Sequence, residues 1–84
     1  MPKNNDDILY SEKYHKSIDK GDEVTSLMFG LHRGTKSKVI GYSPFYEGYF
    51  KTLLVKTDTD IKFYIKQNNL VYWEDYTSVK NLLN

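Results

Sequence analysis

The chain has 84 residues, 39% hydrophobic and 15% aromatic, with a formal charge of +1 and no cysteine. That length supports one modest core rather than two domains, and the chain is too apolar for a disordered segment. The missing cysteines exclude a disulfide scaffold, a cysteine zinc site and a thiol nucleophile, and near-neutral charge argues against a polybasic nucleic-acid arm or an acidic DNA mimic.

No apolar run approaches the roughly 18 residues that would cross a bilayer. Residues 1–7 lack the basic-then-apolar build of a signal peptide, so a cytoplasmic location is expected. Alanine is absent, and Arg33 is the sole arginine beside eleven lysines. Lysine, asparagine, isoleucine and tyrosine use A/T-rich codons, which points to a low-G+C bacterium or a virus that infects one. Losing alanine, the best helix former, also tilts the expectation toward strands.

Residues 1–20 carry balanced charge, and Tyr10, Tyr14 and Ile18 recur at helical spacing. Asn5 or Asp6 is placed to cap that helix, and Gly21 to end it. The expectation is an N-terminal arm or short helix over 1–20, then a single β-rich domain over 21–84. A first strand is predicted over 24–31, with Thr25, Leu27, Phe29 and Leu31 on one face. An exposed loop over 32–37 leads into a second strand over 38–42. Pro44 and Gly48 bracket an aromatic loop, and a third strand follows over 49–56. After a turn at 57–60, Ile61, Phe63 and Ile65 point inward while Lys62, Tyr64 and Lys66 point outward. Residues 67–69 supply another turn, and 70–74 a last strand holding Trp73. Asp75 or Thr77 then caps a final helical turn that buries Val79, Leu82 and Leu83. The predicted fold is mainly β: a small five-stranded antiparallel SH3-like barrel or bent sheet with short terminal helices.

The run Lys20-Gly21-Asp22-Glu23-Val24, the loop with Gly34, and Lys38-Val39-Ile40-Gly41-Tyr42 together resemble the opening of an SH3-like barrel of the KOW or Tudor kind. Asn69-Leu70-Val71-Tyr72-Trp73-Glu74 is similar in layout to the closing strand of such barrels. The resemblance spans about residues 20–76. It implies a nucleic-acid or ribonucleoprotein-binding module.

Enzymatic chemistry has little to draw on. His15 and His32 are the only histidines, and both read as surface residues. Asp58 and Asp60 lie in a turn without the further oxygens a hard cation needs, so no metal or cofactor is expected. Residues 24–46 hold Arg33, Lys36 and Lys38 and no acidic residue, a charge of +3, followed by aromatic residues. Cations interleaved with rings are the ingredients of a single-stranded nucleic-acid platform, which makes Arg33, Lys36 and Lys38 its candidate contacts. The stronger signal is surplus tyrosine. The predicted core is already filled, leaving Tyr42, Phe45, Tyr46, Tyr49, Tyr64, Tyr72 and Tyr76 over, and of these Tyr42, Phe45, Tyr46 and Tyr49 are the candidate protein-binding residues. The expectation is a non-enzymatic regulator or inhibitor of a larger intracellular protein, of the kind a bacteriophage directs at its host. The nucleic-acid module is the alternative.

Overall fold

Alternation of inward and outward side chains is what a half-buried antiparallel strand requires. The computed structural model describes residues 5–44 and 48–83, and side chains from Ile8 onward. Its strands are β1 (Glu23–Ser26), β2 (Ser37–Tyr42), β3 (Thr52–Thr57), β4 (Lys62–Lys66) and β5 (Leu70–Tyr72). All pair antiparallel in one sheet of order β4-β3-β2-β1-β5. The first four strands meander, and β5 returns beside β1. The sheet is open, with β4 and β5 as its edges. Among the described residues three short α-helices accompany it: α1 (Asn5–Tyr10), α2 (Glu12–Lys16) and α3 (Tyr76–Val79). The protein is mainly β, as its sequence predicts.

The core has two layers of unequal extent. Ile18, Val24, Val39, Leu53, Val55, Ile65 and Leu70 form the larger, with Tyr14, Leu31, Phe63 and Tyr72 packed around it. Ile8, Val71 and Val79 form the smaller, flanked by Leu9, Leu27 and Tyr76. The register explains the division. Thr25 lies opposite Val71, and Ser26 opposite Leu70, so alternation along β5 sends Leu70 to one layer and Val71 to the other.

Several predicted boundaries move. The first strand ends at Ser26 rather than at residue 31, because Ser26 Oγ accepts the Met28 N–H (3.0 Å) and the Met28 carbonyl accepts the Leu31 N–H (3.1 Å). Positive φ at Gly30 and His32 completes that turn and leaves Phe29 88% exposed. The third strand starts at Thr52, and the last stops at Tyr72, where Trp73–Asp75 winds into a 3₁₀ turn and Trp73 stacks on Tyr76. Ile61 is exposed rather than inward. It precedes β4, and its N–H is held in the turn by Thr57 Oγ1 (3.1 Å). Phe63 is half-buried and Ile65 buried, as expected. At the C-terminus Val79 is buried and Leu83 half-buried, but Leu82 is exposed.

The N-terminal stripe does not ride on one helix. Ser11 interrupts it and caps α2, its Oγ accepting the Tyr14 N–H at 3.1 Å. Tyr10 is left exposed while Tyr14 and Ile18 turn inward. A cap at Asn5 or Asp6 lies outside the described side chains. Gly21 shapes the turn into β1 at φ +98° instead of ending a helix, since α2 stops at Lys16.

Two polar side chains tie these segments down. His15, read from sequence as a surface residue, is only 2% exposed. Its Nδ1 lies 3.0 Å from the Leu70 carbonyl and its Nε2 3.0 Å from the Leu9 carbonyl. Both partners are backbone carbonyls, and the nitrogen that carries the ring proton donates to one of them. Gln67, read as a turn residue, is buried as well. Its Nε2 donates to the Ile18 carbonyl (2.9 Å), and its Oε1 accepts the Lys51 N–H (3.0 Å). Tyr14 adds a third link, donating to Asp75 Oδ2 (2.5 Å) and accepting the Tyr72 N–H (3.1 Å). Burial, reinforced by the Asp75 carboxylate, pushes the Tyr14 hydroxyl far above the usual tyrosine range.

Candidate protein-binding surface

The register between β2 and β3 shifts between Val39 and Gly41: Val39 faces Val55, Gly41 faces Leu54 and Tyr42 faces Leu53. This irregularity inserts one residue and re-aims the end of β2. Tyr42 therefore shares its side of the sheet with Leu53, the side that carries α2 and the turn after it. Its ring is 48% exposed, and its hydroxyl donates to the Asp19 carboxylate. That bond, helped by the Lys20 N–H at 2.7 Å, holds the Asp19 carboxyl below the usual carboxylate range against a small opposing effect of burial. The same bond raises the Tyr42 hydroxyl. Lys51 Nζ lies 5.7 Å from the Tyr42 ring centroid. Tyr42, Ser43, Gly48, Lys51 and Thr52 line an open groove of about 330 Å³.

Tyr49 is held in a comparable way. Its ring is 64% exposed, and its hydroxyl donates to Glu12 on α2. Lys16 Nζ sits 3.4 Å from the ring centroid and 3.7 Å from Glu12 Oε1. Phe50 meets Tyr49 edge-on at 5.3 Å and reaches the His15 ring at 6.4 Å. Two exposed rings are thus each anchored by a carboxylate and approached by a lysine. Phe45 and Tyr46, the other two residues expected on this surface, lie outside the described residues.

The three cations expected to contact nucleic acid are not brought together: Arg33 stands apart from Lys36 and Lys38. Arg33 Nε donates to the Leu27 carbonyl (2.9 Å), and its Nη1 to the Leu83 carbonyl (3.2 Å), beside the Phe29 ring. It fastens the C-terminal turn to the loop after β1. Lys36 pairs with Glu23 at 3.2 Å, and Lys38 is exposed. Lys36 and Lys38 line a groove of about 350 Å³ together with Lys56 and Asp58, and Arg33 is not part of its lining. Asp60, at φ +69°, pairs with Lys56 at 3.0 Å. His32 packs its ring against Phe63 at 5.2 Å. Among the described residues no group of three or more His, Cys, Asp or Glu side chains is placed to hold a metal ion.

Sequence reasoning found the rings and missed their holders, Glu12, Lys16, Asp19 and Lys51. Only the Glu12–Lys16 spacing of four was visible as an ion pair along a helix. The contacts from Asp19 to Tyr42 and from Glu12 to Tyr49 cross 23 and 37 residues of chain, and local patterning carries no trace of them.

Comparison with protein-family models, curated proteins and solved structures returned no match. No helix among the described residues is long and apolar enough to cross a membrane.

Proposed function

We propose that this chain is a non-enzymatic binding protein that regulates or inhibits a larger protein through the aromatic surface around Tyr42 and Tyr49. Phe45 and Tyr46, between them in sequence, complete that surface in this reading. The supporting observation is that both described rings are exposed and yet anchored, Tyr42 by Asp19 and Tyr49 by Glu12. A ring already fixed in the free protein loses little side-chain entropy on docking, and tyrosine brings apolar area with a polar tip. On its low-G+C composition, the proposed setting is a bacterial cytoplasm and the proposed partner a bacterial protein met by a phage product.

The test is affinity capture from a low-G+C bacterial lysate with and without nuclease, then titration of the purified partner. Tyr42→Ala and Tyr49→Ala should each weaken binding about tenfold or more while the melting temperature holds. Unchanged affinity in both variants would overturn this surface. Capture abolished by nuclease would favour the nucleic-acid reading, in which Lys36 and Lys38 remain candidate contacts.

A further inference from the structure

The sheet face opposite the tyrosine group is covered over β1 and β5, where Ile8, Val71 and Val79 pack together. Over β2, β3 and β4 the same face carries two side-by-side rows. Lys38 pairs with Lys56, and Lys56 with Lys62, so three lysines stand abreast on three neighbouring strands. One step along, Leu54 pairs with Tyr64 and meets β2 at the irregularity that contains Ile40. Ile40 and Leu54 are half-buried, and Tyr64 is 49% exposed.

Like charges directly opposite one another destabilise a sheet. Lysines on an edge strand have a structural purpose, since they discourage edge-to-edge pairing, and Lys62 on β4 fits that role. Lys38 and Lys56 sit on interior strands that need no such protection. Lys56 is partly compensated by Asp60, and Glu23 lies across from Lys38 on β1 with its carboxylate paired to Lys36, so among the described residues no carboxylate is within ion-pair distance of Lys38 or Lys62. The arrangement leaves positive charge beside an apolar strip.

We propose that this face docks an acidic amphipathic helix of a partner protein, a second surface separate from the tyrosine group. The spacing favours a helix lying across the strands. Neighbouring strands are about 4.8 Å apart, and successive helical turns about 5.4 Å, so acidic residues one turn apart keep step with the three lysines. An extended chain, with like-facing side chains about 6.8 Å apart, falls out of step within the same span. The adjoining apolar flank of the helix then covers Ile40, Leu54 and Tyr64. A single-stranded nucleic acid is less suited, because base stacking needs rings and Tyr64 is the only ring in the strip.

The test titrates the ¹⁵N-labelled full chain with a synthetic helical peptide bearing glutamates on one flank and leucines on the next. A same-composition scrambled peptide and an oligothymidylate serve as the other arms. Amide shifts should map to β2, β3 and β4, and added salt should weaken the binding. The double variant Lys38→Gln/Lys62→Gln should bind the peptide about tenfold less tightly with its fold intact. Equal binding of the scrambled peptide, tighter binding of the oligonucleotide, or no shifts at all would overturn the proposal. Shifts confined to Tyr42 and Tyr49 would also overturn it, while leaving the tyrosine surface standing.

Discussion

The two halves of one sheet face differ in what lies over them. Over β1 and β5, Thr25 and Val71 point away from the main core and are buried, with Glu23 at the start of β1 left exposed. Over β2, β3 and β4 the corresponding residues are Lys38, Lys56, Lys62 and Tyr64, and none of these is buried. The strands follow the same alternation throughout. What separates the halves is the chain termini: α1 brings Ile8 and α3 brings Val79 to one half only. A terminal segment of a few residues thus converts half of a solvated face into core, and the side chains beneath change from charged to apolar to match.

The strongest way to break that contrast is to release the cover. His15 bridges the Leu9 carbonyl at the end of α1 and the Leu70 carbonyl at the start of β5. His15→Ala removes the ring held between the two carbonyls, with its hydrogen bond, and opens a void between the two layers. We expect a loss of about 3 kcal/mol, a large part of the stability of a domain this small, read by denaturant unfolding. Amide exchange should speed up first in α1 and β5. If β4 exchanged equally fast, the covered half would have no separate stability.

A matched pair of truncations measures the two halves directly. Val71→Ala removes two buried methyl groups from the covered half and should cost about 2 kcal/mol. Leu54→Ala, on the open half, should cost less than about 1 kcal/mol. Equal costs would show that the uncovered strip contributes as much to folding as the covered one does. A stabilising change sharpens the same comparison. The Thr25 hydroxyl is buried under the cover and has no hydrogen-bond partner among the described residues. Thr25→Val keeps the shape and removes that uncompensated group, so it should raise stability by about 1 kcal/mol.

The half with the regular alternation is also the half that was easiest to read. Ile65 inward with Lys62, Tyr64 and Lys66 outward follows from a period of two, and one core layer is enough to produce it. The covered half obscures its own signal. β5 buries Leu70 on one side and Val71 on the other, so its sequence shows no apolar–polar alternation, and Thr25 and Ser26 are buried without being apolar. The burial of His15 and Gln67 is hidden for a related reason: nothing local distinguishes a buried polar residue with a partner 55 or 49 positions away from a solvated one. Leu27, Phe29 and Leu31 keep the spacing of a longer first strand. The Ser26 hydroxyl and the positive φ of Gly30 and His32 end it regardless of hydrophobicity. Tyr42 and Tyr49 were legible as surplus rings, whereas their anchoring carboxylates required the fold.

The smallest expected effect concerns the other side of the sheet, where an exposed ring is held by a charge instead of a packed layer. The Tyr42 hydroxyl and the Lys20 N–H hold the Asp19 carboxyl below its ordinary range. A group whose folded value is lowered adds stability above its unfolded value, and that stability disappears as the pH falls through the folded one. The tyrosine has the opposite sign: its hydroxyl is raised by Asp19, so its contribution is present below the unfolded tyrosine value and is lost as the pH rises through the raised one. Asp19→Asn should therefore flatten a slight dependence on both the acid and the alkaline sides, without moving the midpoint appreciably near neutrality. Because the pair is solvent-exposed, salt should reduce both slopes. Tyr42→Phe should flatten the same two slopes while keeping the ring. Measured beside Tyr42→Ala in a partner titration, it separates the two contributions to docking. If Phe retains the affinity that Ala loses, the ring is the contact and the carboxylate only steadies it. If both lose it equally, the hydroxyl and its tie to Asp19 are what the partner reads.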